Sequence, residues 1–145
     1  MVMCACYSGQ LIGKDASDAW ARNFNQSIVS AFAYRERPGT LAYQDYYVLT
    51  SANGHENSYS QIFVNNGVEK RKISVLARAL CLGCGWDHYR ASRCALHADT
   101  NGDGRITLHE AYTYSYSKAF SLLGSSVSQH IQVYPENCPL VIFSE

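Results

Sequence analysis

"MVMCACYSGQ", residues 1–10, opens on Met-Val-Met without a charge and runs through two cysteines into Ser8-Gly9. A short continuous apolar run suits a strand buried on both faces of a parallel sheet. Ser-Gly is turn chemistry. The reading is therefore a fully buried strand over residues 1–6 that delivers Cys6 to a loop. Open α/β sheets place their ligands and reacting groups there, outside the carboxyl ends of the strands. Cys4 lies two residues back, so it shares the face of Cys6 one layer deeper. As a nucleophile, Cys6 needs a base to make its thiolate, and turn amides such as that of Gly9 could hold a developing oxyanion. The alternative is bland: a buried cysteine is usually a small, inert core residue.

Working outward, Trp20, Phe24, Ile28, Val29 and Phe32 recur at three- and four-residue steps, predicting a helix from Asp15 to about Phe32. Asp15 or Ser17 would cap it. Pro38-Gly39 marks the stretch 34–40 as an exposed loop. "YYVLTSA" (46–52) is aromatic and β-branched, a second buried strand, and the polar "NGHENSYSQ" (53–61) follows as a loop. Ile73, Leu76, Ala79 and Leu80 face one way, with Lys70, Arg71, Lys72 and Arg78 opposite, which predicts a helix over 69–82 ended by Gly83 and Gly85. Residues 84–106 read as irregular. Thr107 with Glu110 three residues on forms a capping box that starts a Tyr-rich helix. An extended segment and a last apolar strand, 140–143, close the chain. Strands alternating with helices predict an α/β sheet with helices on its faces.

The length, 145 residues, suits one domain over 1–145. Twelve basic and twelve acidic side chains cancel, which argues against nucleic acid or an anionic membrane as partner. No apolar stretch approaches the ~20 residues of a membrane span. No basic segment precedes the first apolar run, so no signal peptide is read here, and the location of a secreted or cell-surface parent stays open. Six cysteines permit disulfides in a chain too large to require them.

The hydrophobic strand followed by Ala-Cys-Tyr-Ser-Gly (5–9) resembles the nucleophile motif of the caspase–legumain group of cysteine peptidases. "VLTSANGHENSYS" (48–60) is similar to the segment after the legumain nucleophile. "CLGCGWD" (81–87), "DTNGDGRITLHEAYTYS" (99–115) and "QVYPEN" (132–137) look like bacterial relatives that carry a DxNxDG loop before a helix. The resemblance implies a three-layer α/β fold of the caspase–hemoglobinase type, of which this chain is the C-terminal part with a calcium-loop insertion. It makes Cys6 the nucleophile. It places Ser51, Asn57, Ser58 and Tyr59 on the segment walling the primary specificity pocket, with a peptide or protein as substrate. Two positions depart from the pattern. Cys4 stands where legumains have an acidic residue, so an asparagine preference does not follow. The family's catalytic His-Gly lies on an upstream strand, whereas five residues precede Cys6 here and none is histidine. His55, His88, His97, His109 and His130 all come later, and none is followed by glycine. The resemblance thus implies a nucleophile-bearing half, inactive alone. Its exposed sheet edge would be met by a histidine-bearing N-terminal half or by another copy. His55, in the pocket loop, is read as a loop histidine in solvent.

"DTNGDGRITLHE" (99–110) supplies oxygens from Asp99, Asn101 and Asp103 at loop positions 1, 3 and 5. Gly104 makes the sharp turn, Arg105 lends a carbonyl and Glu110 arrives at position 12, the pattern of an EF-hand-like calcium loop. The flanking "DHYRASRCALHA" (87–98) is a poor entering helix, so a single structural calcium is expected rather than a paired sensor. The alternative is a metal-free Asx-rich turn with its capping box. Cys81, Cys84, Cys94 and His97 have spacing compatible with zinc or with a disulfide to Cys94. They equally suit apolar positions at a helix end, and the resemblance implies no zinc there. "NQS" (25–27) matches a glycosylation sequon inside a predicted helix. Tyr112, Tyr114 and Tyr116 spread around their helix and are expected to cover the sheet and its rim.

Overall fold

The computed structural model describes residues 1–12, 47–65 and 69–144. The helix expected over 15–32, the loop 34–40 and the sequon lie outside the described residues.

The leading run does form a strand beside the second one. β1 (Val2–Met3) runs parallel to β2 (Val48–Thr50), with Val2 opposite Leu49 and Met3 opposite Thr50. The amides of Leu49 and Ser51 donate to the carbonyls of Met1 and Met3, each at 2.9 Å. Burial on both faces is not found. Met1 is 63% exposed and Val2 50%, because β1 is the edge of its sheet among the described residues. Apolar character identified the pairing partner; it could not say which strand would be outermost.

β3 (Ser60–Asn65) and β4 (Glu69–Ser74) form an antiparallel hairpin, with Ser60 opposite Ser74 and Ile62 opposite Lys72. This corrects the helix expected over 69–82. Its first six residues are strand, and α1 occupies only Val75–Gly83. The Lys-Arg-Lys run contributes no apolar residue to a helical stripe, whereas Val75, Leu76, Ala79 and Leu82 do, and they are buried. β5 (Trp86–Asp87) pairs with β6 (Ser92–Arg93), and β7 (Arg105–Thr107) forms a two-stranded sheet with β9 (Val141–Ser144). Between them α2 (Leu108–Leu123) starts at its expected cap: Thr107 and Glu110 make both bonds of the capping box. β8 (Gln132–Tyr134) adds antiparallel to β2, giving the order β1-β2-β8.

The core lies where these elements meet. Leu49 from β2, Val75 and Leu76 from α1, Leu108 and Ala119 from α2, and Val133 from β8 are all buried in one cluster with Ile131 and Cys138. Tyr112 and Tyr116 pack on it, while Tyr114 covers a second cluster of Ala98, Ile106 and Ala111. Gly83 allows the close approach of the helices: a Cβ there would lie 2.9 Å from the Tyr114 ring and 3.1 Å from Ala98. The chain is thus a mixed α/β domain with two α-helices and several small sheets among the described residues. Among the described residues the largest of these sheets has three strands. None of the described helices is long and apolar enough to cross a membrane.

Candidate active site at the Cys6 turn

Parallel pairing of β1 and β2 brings their carboxyl ends side by side, and the loops leaving them are bonded together. Ser51 Oγ donates to the carbonyl of Ala5 at 3.1 Å. Ser8 Oγ donates to the carbonyl of Ala52 at 3.4 Å and accepts from its amide at 3.3 Å. The Tyr7 amide donates to the Glu56 carbonyl at 2.8 Å. Tyr7 itself has φ 57°, a left-handed conformation that non-glycine residues seldom adopt. Gly9 is required by space: a Cβ would stand 2.6 Å from the Asn53 backbone and run into the Gln132 side chain. Ser8 and Ser51 are buried, so this junction is a dry polar contact, where an unmade hydrogen bond would be costly.

Cys6 projects from the junction and is exposed. Its sulfur accepts from the Ser58 amide at 3.3 Å and lies 3.8 Å from the Ser58 carbonyl. Cys4 is exposed as well, not a layer deeper, since β1 ends at Met3, before it. The remaining pocket residues divide. Ser51 supports the turn from beneath, Ser58 touches the sulfur, and Asn57 is exposed in the same loop. Tyr59 packs on the main core, and its amide donates to Gln129 Oε1 at 2.7 Å. Among the described residues both hydrogen bonds of Cys6 Sγ go to Ser58. His109 Nδ1 is 3.0 Å from the Glu136 carbonyl, and His97 stacks on Tyr114.

Two residues that spacing did not single out, Glu56 and His130, brace the loop that touches the sulfur. The Glu56 carboxylate accepts from Ser128 Oγ at 2.8 Å and from the His130 amide at 2.8 Å, and lies 2.5 Å from His130 Nδ1. The His130 ring in turn packs against Tyr116 and Phe120 of α2. Burial alone would raise the Glu56 pKa. The amide of His130, the Ser128 hydroxyl and the His130 ring outweigh it, and the carboxyl is held below its ordinary range.

In the second constellation, residues 99–110, the side-chain oxygens accept from the loop's own amides. Asp99 Oδ1 accepts from the Gly102 amide at 2.7 Å and its Oδ2 from the Gly104 amide at 2.9 Å. Asn101 and Asp103 accept from the amides two residues on, Asp103 at 2.9 Å and Arg105 at 2.8 Å. Gly102 and Gly104 have φ 74° and 75°, the left-handed turns that only glycine makes without strain. Glu110 is buried, and its two oxygens accept from Thr100 and Thr107, backbone and hydroxyl in each case, at 2.8–3.2 Å. The Thr107 amide does most to lower its pKa; with Thr100, it prevails over burial and holds the carboxyl at about 2. The donor oxygens and loop turns fit calcium, while the position-12 carboxylate is turned to its own cap. Among the described residues no three His, Cys, Asp or Glu groups converge as a metal site.

All six cysteines are free thiols. Cys81 and Cys84 end α1 half-buried, and burial, with the neighbouring Cys81, pushes Cys84 up to about 11. Cys94 Sγ is 3.8 Å from the Leu82 carbonyl. Known proteins offer no match: no family model, curated protein or solved structure is similar to this chain.

What the Cys6 geometry can do chemically is specific. It presents an accessible thiol, with a backbone N–H on the sulfur, at the mouth of two adjacent parallel strands.

Proposed function

We propose that this chain is the nucleophile-bearing part of a cysteine peptidase of the caspase–hemoglobinase type, with Cys6 attacking a peptide or protein substrate. One observation carries the reading: the loops after two parallel strands meet at an exposed Cys6 whose sulfur is bonded to the Ser58 amide. In the reaction, the thiolate adds to the scissile carbonyl, the amine leaves with a proton from a histidine, and water hydrolyses the thioester. Turn amides hold the oxyanion. Ser51, Asn57, Ser58 and Tyr59 belong to the loop that shapes the pocket before the cut. The base comes from a histidine-bearing N-terminal half received at the β1 edge, with a second copy as the other candidate for that edge. Asp99, Asn101, Asp103, the Arg105 carbonyl and Glu110 would hold a structural calcium, supplying fixed positive charge to the loop and no bond-breaking chemistry. The Asp99 turns also favour a second reading, a calcium-binding or peptide-binding relative without catalysis, whose binding would survive Cys6→Ala.

The test uses a library of peptidyl acyloxymethyl ketones, whose carboxylate a thiolate displaces to leave a thioether. Cys6 should be labelled at rates that depend on peptide sequence, while Cys4 shows no such dependence. Equal labelling of the two thiols, indifferent to the peptide, would overturn the proposal. The 145-residue chain by itself should give no turnover.

A further inference from the structure

Glu56 joins three parts of the molecule that are far apart in sequence. Its backbone carbonyl takes the Tyr7 amide, the residue directly after Cys6. Its carboxylate takes the Ser128 hydroxyl and the His130 amide and lies against the His130 ring. That ring packs against both Tyr116 and Phe120 of α2, which also pack on each other, so the segment before β8 is anchored to a core helix. Two residues beyond Glu56, the Ser58 amide reaches Cys6 Sγ. The chain of contacts therefore runs from α2 through His130 and Glu56 to the atom that touches the sulfur.

We infer that Glu56 is a positioning residue for Cys6: gripped by Ser128 and His130, it holds the loop 56–58 so that the Ser58 amide stays on the sulfur. This rests on reading Cys6 as the nucleophile and adds the device that orients it. An N–H donor aimed at a sulfur favours the form bearing negative charge, and a donor displaced by an ångström or two no longer does so. The carboxylate is needed for more than packing. Its three donors approach two oxygens from different sides, an arrangement a methyl group cannot reproduce and an amide reproduces only in part. Exposure of Cys6 makes the effect readable, because access to the thiol does not limit its reaction.

The experiment is alkylation by iodoacetamide at neutral pH, with each cysteine followed by mass spectrometry in a Cys4→Ser background and Cys94 as internal control. Glu56→Ala should slow alkylation of Cys6 about tenfold, the loss of one hydrogen bond to a charged group, with Cys94 unchanged. Glu56→Gln keeps the shape and one acceptor, and should slow it about threefold. Should the alanine variant fail to fold, the glutamine variant decides. A Cys6 rate equal to that of the unsubstituted protein in either folded variant overturns the inference, whatever the melting temperature does. The reagent needs no substrate, so the two claims separate. Unchanged alkylation with peptide-ordered ketone labelling intact rejects only the positioning role. Lost peptide ordering with slowed alkylation rejects only the peptidase reading.

Discussion

Glu56 and His130 stand 74 residues apart, and nothing in the local sequence pairs them. The loop 53–61 reads as polar, and a polar loop offers many side chains of equal promise. Cys6 was legible because a strand-to-turn transition is a local pattern; its support was not, because side-chain pairing across a fold leaves no period or spacing. The Glu56 carboxyl also carries a pH signature. Its folded pKa lies below the ordinary value, so its contribution to stability is fully present above the unfolded carboxylate range and is lost as pH falls through the folded value. Urea midpoints of the protein and of Glu56→Gln should therefore differ most above the unfolded carboxylate range and converge as the pH falls through the lowered folded value. A difference that stays constant across that range would show that the charge on Glu56 adds nothing to the fold.

At the scale of elements, local rules succeeded where they were self-contained. The capping box at Thr107 formed as read, since both of its partners lie within four residues and satisfy each other's orphan groups. The helix over 69–82 failed at its first half for the converse reason. Glu69 to Ser74 is a hairpin arm, and its partner Ser60–Asn65 straddles the end of the loop expected over 53–61. In the sequence, Asn66-Gly67 between the two arms is a strong short-range hairpin signal. Once paired, the arm leaves only Val75 onward to coil. The box makes a quantitative claim. Thr107→Ala removes the oxygen that takes the Glu110 amide at 3.2 Å and one of the donors to its carboxylate. It should cost about 1 kcal/mol in urea unfolding at unchanged m-value. A loss within about 0.2 kcal/mol of zero would mean that tertiary packing, not the cap, sets the start of α2.

For the whole molecule, the question is what the loop 99–110 is attached to. Ala98 just before it, Ile106 inside it and Ala111 just after it are all buried in the second core cluster, which shares Leu80 with the main one. β7, within the loop, pairs with β9 near the end of the chain, and the Leu108 amide donates to Leu140 at 2.8 Å. A cation held by Asp99, Asn101, Asp103, Arg105 and Glu110 would therefore brace both cores and the terminal strand, not a surface turn alone. Ligand that binds only the folded state at a hundred times its Kd adds about 2.7 kcal/mol. For a chain of this size that raises Tm by roughly 5–10 °C. Calorimetry with calcium against chelator should show such a rise in the protein and none in Asp99→Asn/Asp103→Asn, which keeps the turn-forming oxygens but removes two charges. The protein must also exchange some of the Thr100 and Thr107 bonds of Glu110 for the ion, a cost that limits affinity and favours calcium at millimolar over micromolar concentration. An equal rise in both proteins, or none in either, would leave the loop as a self-satisfied turn whose carboxylates serve the helix cap.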